Sequence, residues 1–402
     1  MIDRPQSGLP RGFRDMLPTE ARELHALERT LMSTFESHGY APLELPTVEL
    51  AADAVAVDER RIVRFLDRDG RLLALRPDVT AAVARVAAQR YRDATEPLRL
   101  CYFTAVFREE ASMRGSEREY DQAGVEIIGA SGRRADAEVI ALLAAALEVC
   151  GLGEAQIDLG HAGWLHGYLD ELDPGVAEAT ARAAREGDLA ELRGIGRRHM
   201  PAERLASLER GLAHQGPLRR EELDRLGDGL PAGSRAALHE LAALEPLLEA
   251  TGDAQRTRVD LGLLPTLPYY TGIVFQATDG SIPFPLGAGG RYDRLLPRYG
   301  VARPATGFAI NVPHLHRAMV ARGWRPADGR PLVVLTGGDD ATLLGTGAAL
   351  RARGLAVVLG DVAETAGRAV VRARVLGDGH VEVDGVRRRL DELTAIAGGV
   401  EP

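Results

Sequence analysis

Hydrophobic and polar positions follow two different periods along this chain, and each period predicts a type of element. Between residues 19 and 38 apolar side chains recur every three to four positions, which predicts an amphipathic helix. Residues 98–107 and 119–128 instead alternate in hydrophobicity and predict two long β-strands around a polar loop. Two shorter alternating runs on either side of residues 67–70 predict a hairpin, and a short strand broken by Pro46 precedes them. This mixture of separate helices and strands is typical of an α+β fold.

The second half of the chain indicates an insertion and a separate tail. Residues 164–257 are rich in Ala, Leu, Arg and Glu with helical periodicity, which predicts a helical insertion. Strand patterns then resume with a glycine-rich turn, and a further strand runs into a helix that begins at Val312. From Pro331 the pattern is strand, helix, strand, followed by two short alternating runs around residues 377–379. We therefore predict a core domain at 1–325, with its insertion at about 164–257, and a small α/β domain at 326–402.

The composition removes several classes of function. The 402 residues are 45% hydrophobic and 27% charged, the formal net charge is −9, and all 49 basic residues are arginine. Without lysine, neither a Schiff-base enzyme nor the GxxxxGK[ST] phosphate loop is available, and the negative charge disfavours a general nucleic-acid-binding role. There is no long apolar run of the membrane-spanning kind and no signal-peptide pattern, so we expect a cytoplasmic protein. Two distant cysteines and histidines without zinc-site spacing argue against a metal.

The two long strands place polar side chains on one face. Because side chains alternate along a strand, Thr104 and Arg108 share a face of the first strand. In the second strand Gln122 and Glu126 share a face, with Gly124 between them. An amide and a carboxylate beside a glycine form a polar floor that a ligand or a backbone segment can approach closely. A solvated sheet face with incidental polar residues explains the same pattern equally well.

Three further segments are ambiguous on their own. Asp78 and Thr80 stand near the start of a predicted helix, where capping explains both residues. Tyr269 and Tyr270 lead into a strand, so alternation allows at most one of them to line a given pocket, and packing is the more usual role of an isolated tyrosine. The glycine-rich run 286–296 resembles a phosphate-binding loop but lacks the GxGxxG spacing.

Taken in order, eight short segments resemble the class II catalytic core of histidyl-tRNA synthetases. They are GFRD at 12–15, LELPTVEL at 43–50, LRPDVT at 75–80, FREE at 107–110, REYDQAGVEIIG at 118–129, PYYTGIVF at 268–275, GAGGRYDRLL at 287–296 and PATGFAINV at 304–312. The resemblance covers about residues 8–322, including the insertion. It implies a six- to seven-stranded antiparallel sheet flanked by helices, usually in a homodimer, followed by a shortened remnant of the anticodon-binding domain.

The resemblance also implies roles for individual residues. In those synthetases the LRP[ED]xT segment, the second motif strand and the tyrosine pair line the histidine pocket, and an arginine after the first long strand holds the α-phosphate of ATP. The matching residues here are Asp78, Thr80, Gln122, Glu126, Tyr269 and Tyr270 for the amino acid, and Arg108 for the phosphate. Carboxylates and an amide suit a ligand that presents an ammonium group and an imidazole N–H.

The nucleotide side of the site departs from the synthetase pattern. Pro265 stands where the synthetases carry an arginine that stabilises charge during adenylate formation, and His314 stands where a second arginine holds ATP. Loss of one such electrostatic contact costs roughly 2.7–4 kcal/mol, or about 10²–10³ in rate. With two losses, we expect no useful adenylation.

A histidine pocket without the activating cations is similar to the regulatory subunits of ATP phosphoribosyltransferase, a family paralogous to the histidyl-tRNA synthetases. That resemblance implies an allosteric, non-catalytic protein with no catalytic residues, no cofactor, no metal and no tRNA. It implies a homodimer within a hetero-octamer, assembled with a short catalytic phosphoribosyltransferase for activity and histidine feedback control of the first step of histidine biosynthesis. A working histidyl-tRNA synthetase with unusual motifs and a stand-alone aminoacyl ligase stay open as alternatives, and both would exchange pyrophosphate in the presence of histidine.

Overall fold

The computed structural model describes residues 8–54, 59–109, 117–265, 269–325, 331–363, 365 and 367–397. The chain forms two compact units. The first contains the residues up to Phe13 together with Glu28–Arg322, and the second contains Arg14–Leu27 together with the residues from Gly323 onward. The division therefore passes through the first helix, which the sequence pattern does not indicate.

Twelve strands fall in the described part of the first unit. They are β1 (Ala41–Pro42), β2 (Val48–Leu50), β3 (Arg64–Leu66), β4 (Leu72–Leu75), β5 (Leu98–Phe107), β6 (Glu119–Ile128), β7 (Gln156–His161), β8 (Gln215–Pro217), β9 (Thr257–Asp260), β10 (Ile273–Thr278), β11 (Gly287–Arg291) and β12 (Ala305–Asn311). Both predicted long strands, now β5 and β6, are confirmed. The predicted hairpin is confirmed as β3 and β4, with Asp67 closing its turn by accepting the backbone N–H of Asp69 at 2.9 Å and of Arg71 at 2.8 Å.

The helices that precede Gly323 bear out the predicted helical segments. They are α1 (Pro18–Ser37), α2 (Val79–Arg90), α3 (Arg133–Val149), α4 (Ala162–Leu169), α5 (Pro174–Glu186), α6 (Leu189–His199), α7 (Ala202–Leu212), α8 (Arg220–Gly227), α9 (Ala232–Ala242), α10 (Glu245–Thr251) and α11 (Val312–Ala321). Helix α11 begins at Val312 as predicted, because the Asn311 side chain accepts the backbone N–H of His314 at 2.9 Å and caps the helix. Within the described ranges no helix combines the length and the apolar character that crossing a bilayer requires.

A nine-stranded sheet with the order β1-β5-β6-β12-β11-β10-β7-β9-β8 forms the centre of the first unit. Its six strands from β5 to β7 in that order are antiparallel, which confirms the synthetase-like sheet. Strands β1 and β9 add in parallel to β5 and β7, and β8 forms the outer edge beside β9. The resemblance implied six to seven antiparallel strands, and the three short strands β1, β9 and β8 extend the six that are present to nine. Strands β2, β4 and β3 form a separate antiparallel sheet in that order.

The glycine-rich segment is a strand, and the prediction of a turn there was wrong. In the middle of the sheet, strand β11 pairs along its whole length with β12 and over residues 287–290 with β10. A Cβ atom at Gly289 would come within 2.6 Å of the Phe275 ring and would overlap the backbone oxygen of Gly307. Glycine is needed there because neighbouring groups pack against the backbone, and not because the chain turns.

The second unit has its own sheet and core. Its elements after Gly323 are β13 (Leu332–Thr336), α12 (Asp340–Ala352), β14 (Ala356–Leu359), β15 (Val370–Val375), β16 (His380–Val383), β17 (Val386–Arg389) and α13 (Leu390–Ala397). The strand order is β14-β13-β15-β16-β17, parallel among the first three and antiparallel beyond. The predicted strand–helix–strand pattern is confirmed, and so is the hairpin, whose turn contains Gly377 and Gly379 with φ of 88° and 79°.

Candidate functional site

A cavity of about 480 Å³ lies against the central sheet of the first unit. Its wall includes all seven residues that the sequence indicated, namely Asp78, Thr80, Arg108, Gln122, Glu126, Tyr269 and Tyr270. The pairing of β5 with β6 sets Thr104 opposite Gln122 and Leu100 opposite Glu126, so the predicted polar faces of the two strands coincide. The face is buried, since Gln122 is 8% and Glu126 1% exposed, and the alternative of a solvated sheet face is wrong.

Glu126 is the most deeply placed carboxylate of the cavity. Thr80 Oγ1 donates a hydrogen bond of 2.8 Å to Glu126 Oε1, and the Tyr292 hydroxyl donates to Oε2. Burial raises the pKa of Glu126 to about 8, against the opposing effect of these two hydrogen bonds. Because this pKa lies close to neutral pH, Glu126 can accept a hydrogen bond from a ligand when it is ionised and can donate one when it is protonated.

Asp78 combines a structural role with a place in the cavity wall. Its side chain accepts the backbone N–H of Ala81 at 3.1 Å and caps α2, which confirms the capping interpretation for Asp78. For Thr80 that interpretation was wrong, because Thr80 lies within α2 and its hydroxyl donates to Glu126. Burial raises the pKa of Asp78, and the Arg108 guanidinium, 3.9 Å from its carboxylate, lowers it. The Asp78 carboxyl group thus lies next to Arg108, a cation whose side chain is partly exposed.

Arg108 is held in place by its neighbours. Its Nε donates to the backbone oxygen of Pro77 at 2.8 Å, and its guanidinium lies 5.7 Å from the centre of the Tyr120 ring. Its side chain is 22% exposed. The cavity therefore has acidic groups at its floor and a cation that reaches toward solvent.

Both tyrosines of the pair line the cavity, and the expectation that at most one could do so was wrong. Their ring centres are 5.0 Å apart, and Tyr269 also meets Tyr292 edge to face at 5.8 Å. The pair precedes β10, which begins at Ile273, so strand alternation does not apply to it. Burial raises the pKa of both hydroxyls, which keeps them neutral.

Two glycines shape the floor of the cavity. A Cβ atom at Gly307 would overlap the Glu126 carboxylate, so only glycine leaves room for that side chain. At Gly124 the predicted gap is filled from within the protein, because a Cβ there would come within 2.5 Å of the backbone oxygen of Phe308 and would overlap the Tyr102 hydroxyl. Backbone approach, rather than ligand approach, accounts for that glycine.

The arrangement suits a small zwitterionic ligand that carries further N–H groups. Carboxylates and the Gln122 amide can accept from an ammonium group and a ring N–H, and Arg108 can bind a carboxylate. Across the ranges that the structure describes, no three His, Cys, Asp or Glu side chains come close enough together to hold a metal ion. Cys101 and Cys150 are buried free thiols, as their predicted role as small apolar residues requires.

Comparisons with known proteins place the chain in a family. A family model described as histidyl-tRNA synthetase matches residues 12–315. A curated protein from Moorella thermoacetica named ATP phosphoribosyltransferase regulatory subunit is 38% identical over 377 residues, which are 92% of this chain and 96% of that protein. The chain belongs to the family of ATP phosphoribosyltransferase regulatory subunits. A protein of the same name from Bacillus subtilis is 35% identical over 326 residues, which are 77% of this chain and 81% of that protein.

Solved structures agree with this membership of the regulatory-subunit family. A structure from Bacillus halodurans, described as an ATP phosphoribosyltransferase regulatory subunit/histidyl-tRNA synthetase, matches with a TM-score of 0.81 and 28% identity, covering 93% of this chain and 100% of that chain. Histidyl-tRNA synthetase from Nostoc matches with a TM-score of 0.79, over 98% of this chain and 100% of that chain. Its 21% identity supports the fold alone. The class II synthetase-like fold and the recognised family are thus confirmed.

The two residues that depart from the synthetase pattern are Pro265, which lies in the cavity wall, and His314, which does not. Pro265 lines the cavity beside Leu263 and Leu264 and makes that wall apolar. The His314 ring stacks on Phe284 with ring centres 5.1 Å apart, and its Nδ1 lies 2.8 Å from the backbone oxygen of Pro285. Neither position supplies a cation to the cavity.

Sequence reasoning missed Tyr292 and Arg61, which also line the cavity. Tyr292 follows β11, and its neighbour Arg291 forms a buried ion pair with Asp136 of α3 at 2.8 Å that fixes this end of the strand. Alternation along β11 could have identified Tyr292, had the glycine-rich run been interpreted as a strand. No sequence pattern marks Arg61, which lies in a 3₁₀ turn at Glu59–Arg61 outside the long strands.

Proposed function

We propose that this chain is a non-catalytic regulatory subunit that binds free histidine in the cavity and controls a short catalytic ATP phosphoribosyltransferase subunit. The observation that carries the proposal is a single cavity in which a buried acidic floor around Glu126 faces an apolar wall at Pro265. The floor suits histidine, and the wall lacks the charge needed to activate it. The names of the relatives support the regulatory role.

The floor offers separate partners to each polar group of histidine. Glu126 would accept from the imidazole N–H in its ionised form, because its two existing hydrogen bonds come from neutral hydroxyls and do not prevent burial from raising its pKa. Asp78 and Gln122 would accept from the α-ammonium group, and Arg108 would bind the α-carboxylate. A ligand without the ring N–H would leave Glu126 with only its hydrogen bonds from Thr80 and Tyr292, and this difference would give the cavity its selectivity.

A regulatory subunit of this kind would differ from a histidyl-tRNA synthetase because it would not convert histidine to its adenylate. Two missing electrostatic contacts at roughly 2.7–4 kcal/mol each would slow adenylate formation by about 10⁴–10⁶. The purified chain should therefore bind histidine without exchanging pyrophosphate into ATP. Exchange at a synthetase-like rate would overturn the proposal and favour the histidyl-tRNA synthetase alternative.

The partners follow from the same proposal. The chain would act in the cytoplasm as a homodimer within a hetero-octamer with the short catalytic subunit, without tRNA, and would be needed for activity in the first step of histidine biosynthesis. Histidine bound in the cavity would reduce that activity through a coupling free energy between the two sites.

Reconstitution tests the whole proposal. The chain is mixed with a short catalytic subunit, and turnover of ATP and phosphoribosyl pyrophosphate is measured while histidine is added. We expect turnover to depend on this chain and histidine to inhibit it, and we expect Glu126→Ala or Gln122→Ala to blunt the inhibition without preventing assembly. Full inhibition in both variants would show that histidine acts elsewhere.

A further inference from the structure

The hydroxyl group of Tyr102 is buried and has no hydrogen-bond partner. Tyr102 belongs to β5 and is 1% exposed, and among the described residues none donates to its hydroxyl oxygen or accepts from it. Buried polar groups in folded proteins are almost always paired, so an unpaired hydroxyl needs an explanation. Packing does not provide one, because a phenylalanine ring would fill the same space without the hydroxyl.

Other buried tyrosines of the first unit use their hydroxyls within the fold. Tyr168 is fully buried and shares a hydrogen bond of 2.9 Å with the Ser207 hydroxyl, and Tyr292 donates to Glu126. The Tyr102 hydroxyl makes no such contribution to the histidine-free chain. Its burial without a partner therefore lowers the stability of that chain.

The Tyr102 hydroxyl lies at the floor of the cavity. Tyr102 is opposite Gly124 across the two long strands, and its hydroxyl occupies the space that a Cβ atom at Gly124 would need. Gly124 separates Gln122 from Glu126 on the face of β6 that lines the cavity. The unpaired hydroxyl thus lies beside two residues to which we assign ligand binding.

Thr80 connects this hydroxyl with Glu126. Burial raises the pKa of Tyr102, and the nearby Thr80 hydroxyl lowers it, although the two groups do not form a hydrogen bond in the histidine-free chain. Thr80 Oγ1 donates to Glu126 Oε1 at 2.8 Å and keeps lone pairs with which it can accept. Hydrogen bonds at functional sites are often long or poorly aligned without the ligand and become tighter when it binds.

We propose that Tyr102 is a positioning residue of the cavity, whose hydroxyl donates to Thr80 when histidine is bound and so strengthens the hydrogen bond from Thr80 to Glu126. The inference rests on the proposed function and adds to it a residue that does not itself line the cavity. In a chain of hydrogen bonds each donor polarises the next, so donation from Tyr102 makes Thr80 a better donor to the carboxylate. The ionised carboxylate accepts from the imidazole N–H, and it is the form that this chain of hydrogen bonds stabilises.

Calorimetric titration of the full chain with histidine, together with thermal unfolding of the histidine-free chain, tests the inference. The variant is Tyr102→Phe, and the matched control is Tyr168→Phe, whose hydroxyl has its partner outside the cavity wall. Tyr102→Phe should raise the dissociation constant about three- to tenfold without lowering the melting temperature, because the free chain loses no hydrogen bond. Tyr168→Phe should do the opposite: its melting temperature should fall and its affinity for histidine should stay unchanged.

Two further backgrounds test whether Tyr102 acts through Thr80. Thr80→Ser keeps the hydroxyl, so adding Tyr102→Phe to it should again raise the dissociation constant about three- to tenfold. Thr80→Val removes the hydroxyl, so adding Tyr102→Phe to it should change the dissociation constant by less than about twofold. An equal effect of Tyr102→Phe in both backgrounds would contradict a role that depends on Thr80.

Two results would overturn the inference while leaving the proposed function intact. One is an unchanged affinity for histidine in Tyr102→Phe. The other is a fall in melting temperature as large as that of Tyr168→Phe, because the Tyr102 hydroxyl would then serve the fold. A wild-type chain that does not bind histidine would refute the proposed function and this inference together, so titration of the wild type distinguishes the two failures.

Discussion

Replacing Glu126 with glutamine should stabilise the histidine-free protein increasingly as the pH rises. The pKa of Glu126 is about 8 in the fold, against an ordinary value of 4.5. One pKa unit corresponds to about 1.4 kcal/mol, so ionising this group costs about 5 kcal/mol more in the folded than in the unfolded chain above pH 8, and about 3 kcal/mol more at pH 7. Glutamine keeps the volume of the side chain and removes the ionisation.

The direction of this pH effect depends on whether the folded or the unfolded chain loses the Glu126 proton at the lower pH. Because burial raises the folded pKa, the unfolded chain ionises at lower pH than the folded chain. The contribution of Glu126 to stability is therefore fully present below about pH 4.5, falls between 4.5 and 8, and stays low above 8. At low pH the variant should be slightly less stable, by about 1 kcal/mol, because an amide NH2 group replaces one of the two oxygens that accept from Thr80 and Tyr292. Between pH 5 and pH 8 the difference should shift in favour of the variant by about 3 kcal/mol.

Urea unfolding of the full chain, followed by tryptophan fluorescence at several pH values, measures this difference. A Trp324→Phe background leaves Trp164, 1% exposed in the first unit, as the only tryptophan reporter. Glu138→Gln is the matched control of opposite sign, because a hydrogen bond from Arg99 lowers the pKa of Glu138 and its ionised form stabilises the fold. If the unfolding free energies of the wild type and Glu126→Gln changed in parallel with pH, the reasoning would be refuted. Such a result would mean that ionising the buried carboxylate costs no more free energy in the folded than in the unfolded chain.

Three further changes test the surroundings of the same carboxylate. Gly307→Ala should destabilise the first unit by about 2–3 kcal/mol and abolish histidine binding, as chemical denaturation and calorimetric titration would show, because the new methyl group overlaps Glu126. Tyr292→Phe removes a donor to the carboxylate, so it should raise the pKa of Glu126. Histidine binding should then be about tenfold weaker at pH 7.5, and this loss of affinity should diminish at higher pH. A loss of affinity that does not depend on pH would contradict this role. Arg291→Met should cost about 3–5 kcal/mol of unfolding free energy by leaving Asp136 buried without its cation, and the double variant with Asp136→Leu should recover most of it.

Local patterns in the sequence predicted the elements that form the floor of the cavity. Alternation along β5 and β6 assigned Gln122 and Glu126 to one face, and the register between the strands confirms that assignment. A single side chain determines where α2 begins, because Asp78 caps it, and that signal is visible within a few residues. The binding roles of the seven cavity residues and the domain boundaries at 325 and 326 stay predictions.

What local patterns could not predict depends on tertiary contacts. The glycines of β11 were interpreted as a turn because the groups that crowd them, such as Phe275 and Gly307, are distant in the sequence or belong to another strand. Alternation failed for Tyr269 and Tyr270 because it applies within a strand, and the pair lies before one. Tyr292 was missed for a related reason, since its role depends on a strand that the sequence did not suggest.

A comparison of two buried carboxylates explains why Glu126 is interpreted as a binding group. Asp136 is paired with Arg291 at 2.8 Å, so its charge is compensated within the protein and it serves the fold. The hydrogen bonds to Glu126 come from the neutral hydroxyls of Thr80 and Tyr292, which orient the carboxylate without balancing its charge. An ionisable group that costs stability at neutral pH and is aimed into a cavity is typical of a functional site. Glu126 lacks a positively polarised partner for its ionised form, and a ligand with N–H donors can provide one on binding. Such a ligand would gain more binding free energy from Glu126 than from a carboxylate that is already paired with arginine.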